Sequence, residues 1–186
     1  MIQATKTALS QIKTHSKSEI LTVGWGVILL FTCSQISVPL EPVPITLQTM
    51  GVIFLGLVFS GKTAIRSVIL YIVLGAAGIP LFANFSAGMQ CLLGPSGGYI
   101  VGFVPSVYLL SLMNTIWRSN SWLNIFIKCL IGTAVIFIFG MFGLSLYVRS
   151  IEKILQLGLF PFIIPGITKA ILLTLLLKSA GYPEHR

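Results

Sequence analysis

The sequence predicts an all-α integral membrane protein: six transmembrane helices in a compact bundle, both termini cytoplasmic, and a long external loop between helices 3 and 4. Three observations predict it. Of 186 residues, 55% are hydrophobic and only 9% charged, at a mean hydropathy of +0.97, which leaves too little polar surface to cover a water-soluble globule. Apolar runs of about twenty residues recur along the chain, the length a helix needs to cross a hydrocarbon core of about 30 Å. The formal charge of +8, from twelve Lys or Arg against four Glu and no Asp, is gathered between those runs rather than along one basic face. That pattern orients a protein in a bilayer and argues against a nucleic-acid surface.

Residues 1–19 are polar, with Lys6, Lys13 and Lys17, and are expected as a flexible or interfacial cytoplasmic tail. A single membrane domain, 20–178, follows, and 179–186 form a second short cytoplasmic tail. The first span, 20–38, lacks the short apolar run and small-residue cleavage site of a signal peptide, so it is expected to be retained. Pro39, Pro42 and Pro44 stop it, and Glu41 is the one charge in that connection. The second span, 45–59, opens on a polar turn with Thr46 and Gln48, and Lys62 and Arg66 separate it from a third at 64–79. The fourth span, 97–116, carries Gly98 and Gly102, a small-xxx-small pair that permits close helix packing. Trp117, Arg118 and Trp122 mark the next interface. The fifth span, 123–148, is longer than a crossing requires and should tilt. Arg149, Glu152 and Lys153 precede the sixth, 159–177.

Orientation follows from the cations. Lys6, Lys13, Lys17, Lys62, Arg66, Arg118, Lys178 and Arg186 share one side, whereas the other has only Arg149 and Lys153. By the positive-inside rule the richer side is cytoplasmic. Residues 79–97 are then external, as are 39–44 and the start of the sixth span, and these three connections can together roof a pocket. The 79–103 stretch is uncharged yet dense in Gly, Pro, Ser and Asn, as befits a binding loop or lid. Asn84, Gln90 and Tyr99 are its candidate hydrogen-bonding groups. Gly88, Gly94, Gly97 and Gly98 allow backbone shapes that a Cβ penalises, so a lid can close down on a ligand.

Several other signals weigh less. Residues 56–63, Gly-Leu-Val-Phe-Ser-Gly-Lys-Thr, fit the phosphate-cradling pattern, but that loop joins a strand to a helix and needs an acidic partner for magnesium. Here the segment finishes an apolar helix in a chain without Asp, so Lys62 is read as a positive-inside anchor. Asn84-Phe85-Ser86 matches a glycosylation triplet only by pattern. Cys33, Cys91 and Cys129 are far apart and read as small buried hydrophobes. His15 and His185 lie in the polar ends. No nucleophile–base set, paired carboxylate, metal cluster or dinucleotide fingerprint is visible, so neither catalysis nor a metal or cofactor is expected. Lys169 stands apart, because an unpaired cation inside a span costs about 2.5–3.5 kcal/mol on insertion scales and no span holds an acid to pair with it. Either it meets an anionic or strongly accepting ligand, with Pro161, Pro165 and Gly166 loosening the helix ahead of it, or it snorkels from a tilted helix.

Three ordered motifs carry a family resemblance: residues 42–49, Pro-Val-Pro-Ile-Thr-Leu-Gln-Thr, with Gly51; residues 74–82, Leu-Gly-Ala-Ala-Gly-Ile-Pro-Leu-Phe; and residues 93–99, Leu-Gly-Pro-Ser-Gly-Gly-Tyr, with Gly102 and Phe103. In these the chain resembles the BioY family, the biotin-specific substrate-capture (S) components of energy-coupling factor (ECF) transporters. The resemblance spans essentially the whole chain. It implies six helices in the cell (cytoplasmic) membrane, capture of biotin from outside, and release powered by separate chains: a transmembrane coupling protein and two cytoplasmic ATPases. Expected ligand contacts are Thr46, Gln48, Asn84, Phe85, Gln90, Tyr99 and Lys169. Family members place an acid just after the Pro-Gly of the last helix, whereas Pro165-Gly166-Ile167-Thr168-Lys169 keeps only the Lys. Many S components show an Ala-xxx-Ala face to the coupling protein, and the matching rhythm here is Ser18, Thr22 and Gly26. Bilayer physics alone leaves two other readings open: an S component for another small vitamin, and an assembly subunit whose polar loop contacts protein.

Overall fold

The computed structural model describes residues 2–117 and 121–181, with side chains from Ser18 onward. Arg118, Glu184, His185 and Arg186 lie outside the described residues, as do the side chains of Lys6, Lys13, His15 and Lys17. The fold is all-helical apart from one two-stranded ribbon. Helix α1 runs Ile2–Gln35, β1 is Ser37–Val38, β2 is Ile45–Thr46, α2 is Gln48–Val58 and α3 is Gly61–Ala76. A 3-10 turn at Ala83–Phe85 and a short α4, Met89–Leu93, precede α5 at Gly97–Ile116. Helix α6 is Trp122–Ser145, α7 is Ile151–Gly158 and α8 is Phe160–Ser179.

The polar 2–19 stretch, expected as a tail, is helical and continuous with the first span. Nothing before Gly24 is Gly or Pro, so no residue interrupts the ladder. Among the described residues four stretches, Ser18–Gln35, Gly97–Ile116, Trp122–Ser145 and Ile151–Ser179, are long and apolar enough to cross a membrane. Helix α2 is shorter than expected, because Ile45 and Thr46 pair with Val38 and Ser37 as an antiparallel ribbon before the helix begins. At 11 residues it is about 16 Å long. Residues 151–158, read as part of a connection, form α7. Helix α8 is continuous from Phe160 to Ser179: Pro161 sits in the first turn, where its missing N–H is harmless, while Pro165, inside the helix, removes one bond of the ladder without ending it.

Helix packing uses the glycines. A Cβ on Gly98 would lie 2.8 Å from Gly143 Cα, and one on Gly102 3.3 Å from Ile136 Cα, so α5 and α6 meet backbone to backbone as the small-xxx-small pair predicts. A Cβ on Gly56 would lie 2.9 Å from Leu110. Gly26 corrects an expectation: a Cβ there would sit 2.6 Å from Ser67 Cβ, so this glycine lets α1 touch α3 and is not part of a face left for another protein. Ser18 and Thr22 remain at the edge of an open cleft lined also by Val58, Ser60 and Lys62. Glu19 and Arg66 tie α1 to α3 there as an ion pair.

Lys128, unassigned from sequence, is 1% exposed. Its ammonium donates to Asn114 Oδ1 at 3.0 Å and Trp117 O at 2.8 Å. The Asn114 amide in turn donates to Leu57 O at 2.9 Å and Gly56 O at 3.3 Å. The cation is thus the centre of a knot that ties carbonyls at the ends of α2 and α5 together.

Candidate functional site

At the opposite end from that knot, the 43–49 stretch leading into α2, the 82–96 segment, the first two turns of α5, the second half of α6 and the first half of α8 enclose a cavity of about 260 Å³. Its apolar wall is aromatic: Tyr99 packs on Phe162 with centroids 5.8 Å apart and on Phe137 at 6.4 Å, and Phe103 adds a fourth ring. Rings in these offset and edge arrangements form a firm surface for a flat apolar group. Gly140 is required behind them, since a Cβ there would strike the Tyr99 ring.

Polar groups enter from the α2 side. Lys169 on α8 is half-buried and donates to Thr46 O at 2.7 Å and Thr49 Oγ1 at 3.0 Å. These neutral acceptors take the place of the acid that no span provides. An ammonium has three N–H donors, so one remains unspent among the described residues, on a side chain that lines the cavity. Gln48, 4% exposed, donates through Nε2 to the Tyr71 hydroxyl at 2.8 Å, and that hydroxyl gives its single proton to Leu81 O at 2.8 Å. This chain of bonds fixes the amide orientation and leaves the Gln48 carbonyl oxygen as an acceptor on the wall.

The roof is the 79–88 segment. Phe82 is buried in a niche over Gly75 and meets Tyr71 edge-on at 5.6 Å. Asn84 lines the cavity, its Oδ1 accepting from Ser37 Oγ at 2.7 Å. Gly88, at φ 91°, turns the chain where an L side chain would be strained, and its N–H reaches Gly75 O at 2.7 Å.

Of the expected contacts, Thr46, Gln48, Asn84, Tyr99 and Lys169 come together around one cavity. The Tyr99 hydroxyl, however, is committed to Gly158 O at 2.7 Å, so this residue offers its ring rather than a hydrogen bond. Phe85 is 64% exposed and packs edge-on against Phe31, outside the cavity lining. Gln90 also lies outside it and donates to Ala87 O at 2.7 Å, closing its own turn. Gly97 and Gly98 are packing residues, the first against the Leu92 backbone and the second against α6, and Gly94 does not line the cavity either. Thr49, Phe137 and Phe162 were missed. Thr49 stands in the first turn of α2, beside Gln48 and three residues from Thr46, a spacing that puts it within reach of whatever those residues meet. The 56–63 pattern has no strand before it: α2 ends at Val58 and α3 begins at Gly61, with the Ser60 and Thr63 hydroxyls bonded to each other at 2.8 Å.

A model described as the BioY family matches residues 5–182. The chain belongs to the BioY family. A Pyrococcus horikoshii protein described as a probable biotin transporter BioY is 40% identical over 152 residues, which is 82% of this chain and 89% of that one. The Thermotoga maritima protein described as biotin transporter BioY is 35% identical over 145 residues, 78% of this chain and 85% of its own. A crystal structure of the S-component for biotin from an ECF-type ABC transporter superposes with a TM-score of 0.75 at 26% identity, over 94% of both chains. Family membership and, among the described residues, four stretches long and apolar enough to cross a membrane make this a multi-pass membrane protein of a transporter family, not of an enzyme family.

Proposed function

We propose that the chain captures biotin outside the cell membrane and delivers it inward as the S component of an ECF-type importer. The observation that carries this is the cavity: an aromatic wall, a buried amide acceptor and one cation with an unspent donor, in a chain of the BioY family. Biotin pairs an apolar thioether ring and chain with a ureido group, which donates and accepts, and with a carboxylate ionised at neutral pH. Such a ligand suits a mostly apolar pocket with few, well-placed polar groups. Lys169 answers the carboxylate or the ureido oxygen, Gln48 accepts from a ureido N–H, Asn84 closes from the roof, and the rings of Tyr99 and Phe162 flank the apolar body. No cofactor takes part; biotin is the cargo.

The finer architecture belongs to the same proposal. One membrane domain crosses six times, with α2 and α3 as the short second and third crossings and α7 preceding the sixth. Both termini face the cytoplasm and the 79–97 segment faces out. ATP hydrolysis resides in two partner ATPases, reached through a transmembrane coupling protein that docks near Ser18 and Thr22. Equilibrium binding of labelled biotin to the purified chain tests the reading. Saturable binding that unlabelled biotin competes and other vitamins do not supports it. Retention of a different vitamin in native mass spectrometry, without biotin binding, overturns the ligand and keeps the class.

A further inference from the structure

The roof of the cavity is held in a shape that its own residues resist. Asn84 and Phe85 both have φ of 56°, the left-handed region that a Cβ disfavours and that is a true outlier for a bulky side chain. Two such residues in succession persist only where the surroundings over-determine them. The turn's own bonds, Phe82 N–H to Ser86 O at 3.0 Å and Ser86 Oγ to Ala83 O at 2.7 Å, close it without fastening it to the bundle. Leu81 O, held by the Ser34 and Tyr71 hydroxyls, and Gly88 N–H, on Gly75 O, anchor the segment on either side, but the backbone of the strained turn itself is fastened by Gln35, the last residue of α1. Its Nε2 donates to Phe82 O at 3.1 Å and to Ser34 Oγ at 2.8 Å, while its Oε1 accepts the Phe85 N–H at 3.0 Å. One side-chain amide therefore grips the turn ahead of the strained pair, at Phe82 O, and within it, at the Phe85 N–H, as a neighbouring strand would, and Ser37 two residues later fixes the Asn84 side chain. Gln35 itself does not line the cavity.

We propose that Gln35 is a positioning residue for ligand retention: through the backbone of Phe82 and Phe85 it holds Asn84 over the cavity and keeps bound ligand from leaving. The proposal rests on the reading of the cavity as the biotin site. Without the amide, 82–85 relaxes out of the left-handed region and the roof lifts, whereas the wall, Lys169 and Gln48 stay in place. Dissociation is then the step that changes, as it is for most changes around a preformed site.

The test uses the purified full-length chain, labelled biotin and the variant Gln35→Met, which keeps length and removes the amide. Loss of two hydrogen bonds across the roof should speed biotin dissociation about tenfold and leave association within about threefold. In ligand-free protein the Phe85 amide should exchange with solvent faster than in the parent, while core amides of α5 and α6 keep their protection. Gln35→Glu retains the acceptor for Phe85 N–H and loses the donor to Phe82 O, so it should show a smaller change in the same direction, and it decides the matter if the Met variant does not fold. Unchanged Phe85 exchange overturns the clamp. Faster exchange with unaltered dissociation overturns its role in retention. A parent that does not bind biotin removes the reading beneath the proposal, and ligand-free exchange tells that failure apart from failure of the clamp.

Discussion

Lys169 shows what a single residue does in this chain. A cation inside an apolar helix is costly, and the bonds to Thr46 O and Thr49 Oγ1 offset only part of that cost, since neither acceptor is charged. Lys169→Met keeps the apolar length and removes a charged hydrogen bond to ligand, so biotin affinity should fall by about 1.5–3 kcal/mol, roughly ten- to a hundredfold. Equilibrium binding reads the loss, and thermal unfolding in detergent should show a protein as stable as the parent or more so. Parental affinity in a folded variant would reduce Lys169 to a tie between α8 and α2. Cys91 supplies a second probe, because it is half-buried and lines the cavity, its thiol turned to Ala87 O at 3.4 Å. Saturating biotin should slow its alkylation severalfold, whereas Cys33 and Cys129, buried among helices, should be inert with or without ligand. Equal rates of Cys91 modification in both conditions would place biotin elsewhere.

At the scale of elements the contact between α5 and α6 is the most sharply constrained. Gly98 and Gly143 face each other so closely that each would drive a Cβ into the other's backbone, which cannot move aside as a flexible side chain can. Gly98→Val should therefore cost about 1–3 kcal/mol by overpacking, seen as a lower unfolding temperature. Gly24→Ala, with nothing within 4 Å of its new Cβ, is the control and should leave stability unchanged or raise it by up to about 1 kcal/mol, the helix preference of Ala over Gly. From sequence alone Gly98 fits a lid as well as a helix contact, and its place against Gly143 decides for packing. Helix α5 was legible to its ends because Gly94, Pro95 and Ser96 precede it and Trp117 closes it. Helix α7 was not, since its eight residues are too few to display a period against flanking apolar sequence. Lys169 was legible because charge in an apolar run demands an explanation. The Tyr99, Phe137 and Phe162 wall was not, because an aromatic ring is equally at home against lipid and against a ligand. Thr49 escaped notice because a hydroxyl in a helix can bond its own backbone at little cost, as Thr22 and Thr32 do here.

For the whole molecule, the two ends of the bundle differ in chemistry. One end holds the cavity, its roof and the α1 terminus that grips that roof. The other holds the Lys128–Asn114 knot, the Glu19–Arg66 pair and Lys62. Helix α2 links them over about 16 Å, with Gln48 and Thr49 at the cavity and Gly56 and Leu57 in the knot. It falls short of a hydrocarbon core of about 30 Å, so in the orientation proposed above the ribbon of β1 and β2 and the 39–47 segment would make up the remaining depth, with the cavity in the outer half of the membrane. This orientation predicts the outcome of labelling in intact cells. In a chain freed of its three native cysteines, Asn84→Cys should react with a membrane-impermeant thiol reagent added outside, and Lys62→Cys only after the cells are opened. Protection of Asn84→Cys from external reagent is also what a closed roof would give, so the decisive comparison is the inner face. Reaction of Asn84→Cys from the cytoplasmic side, with Lys62→Cys reacting from outside, would invert the molecule and remove the basis for capture from the exterior.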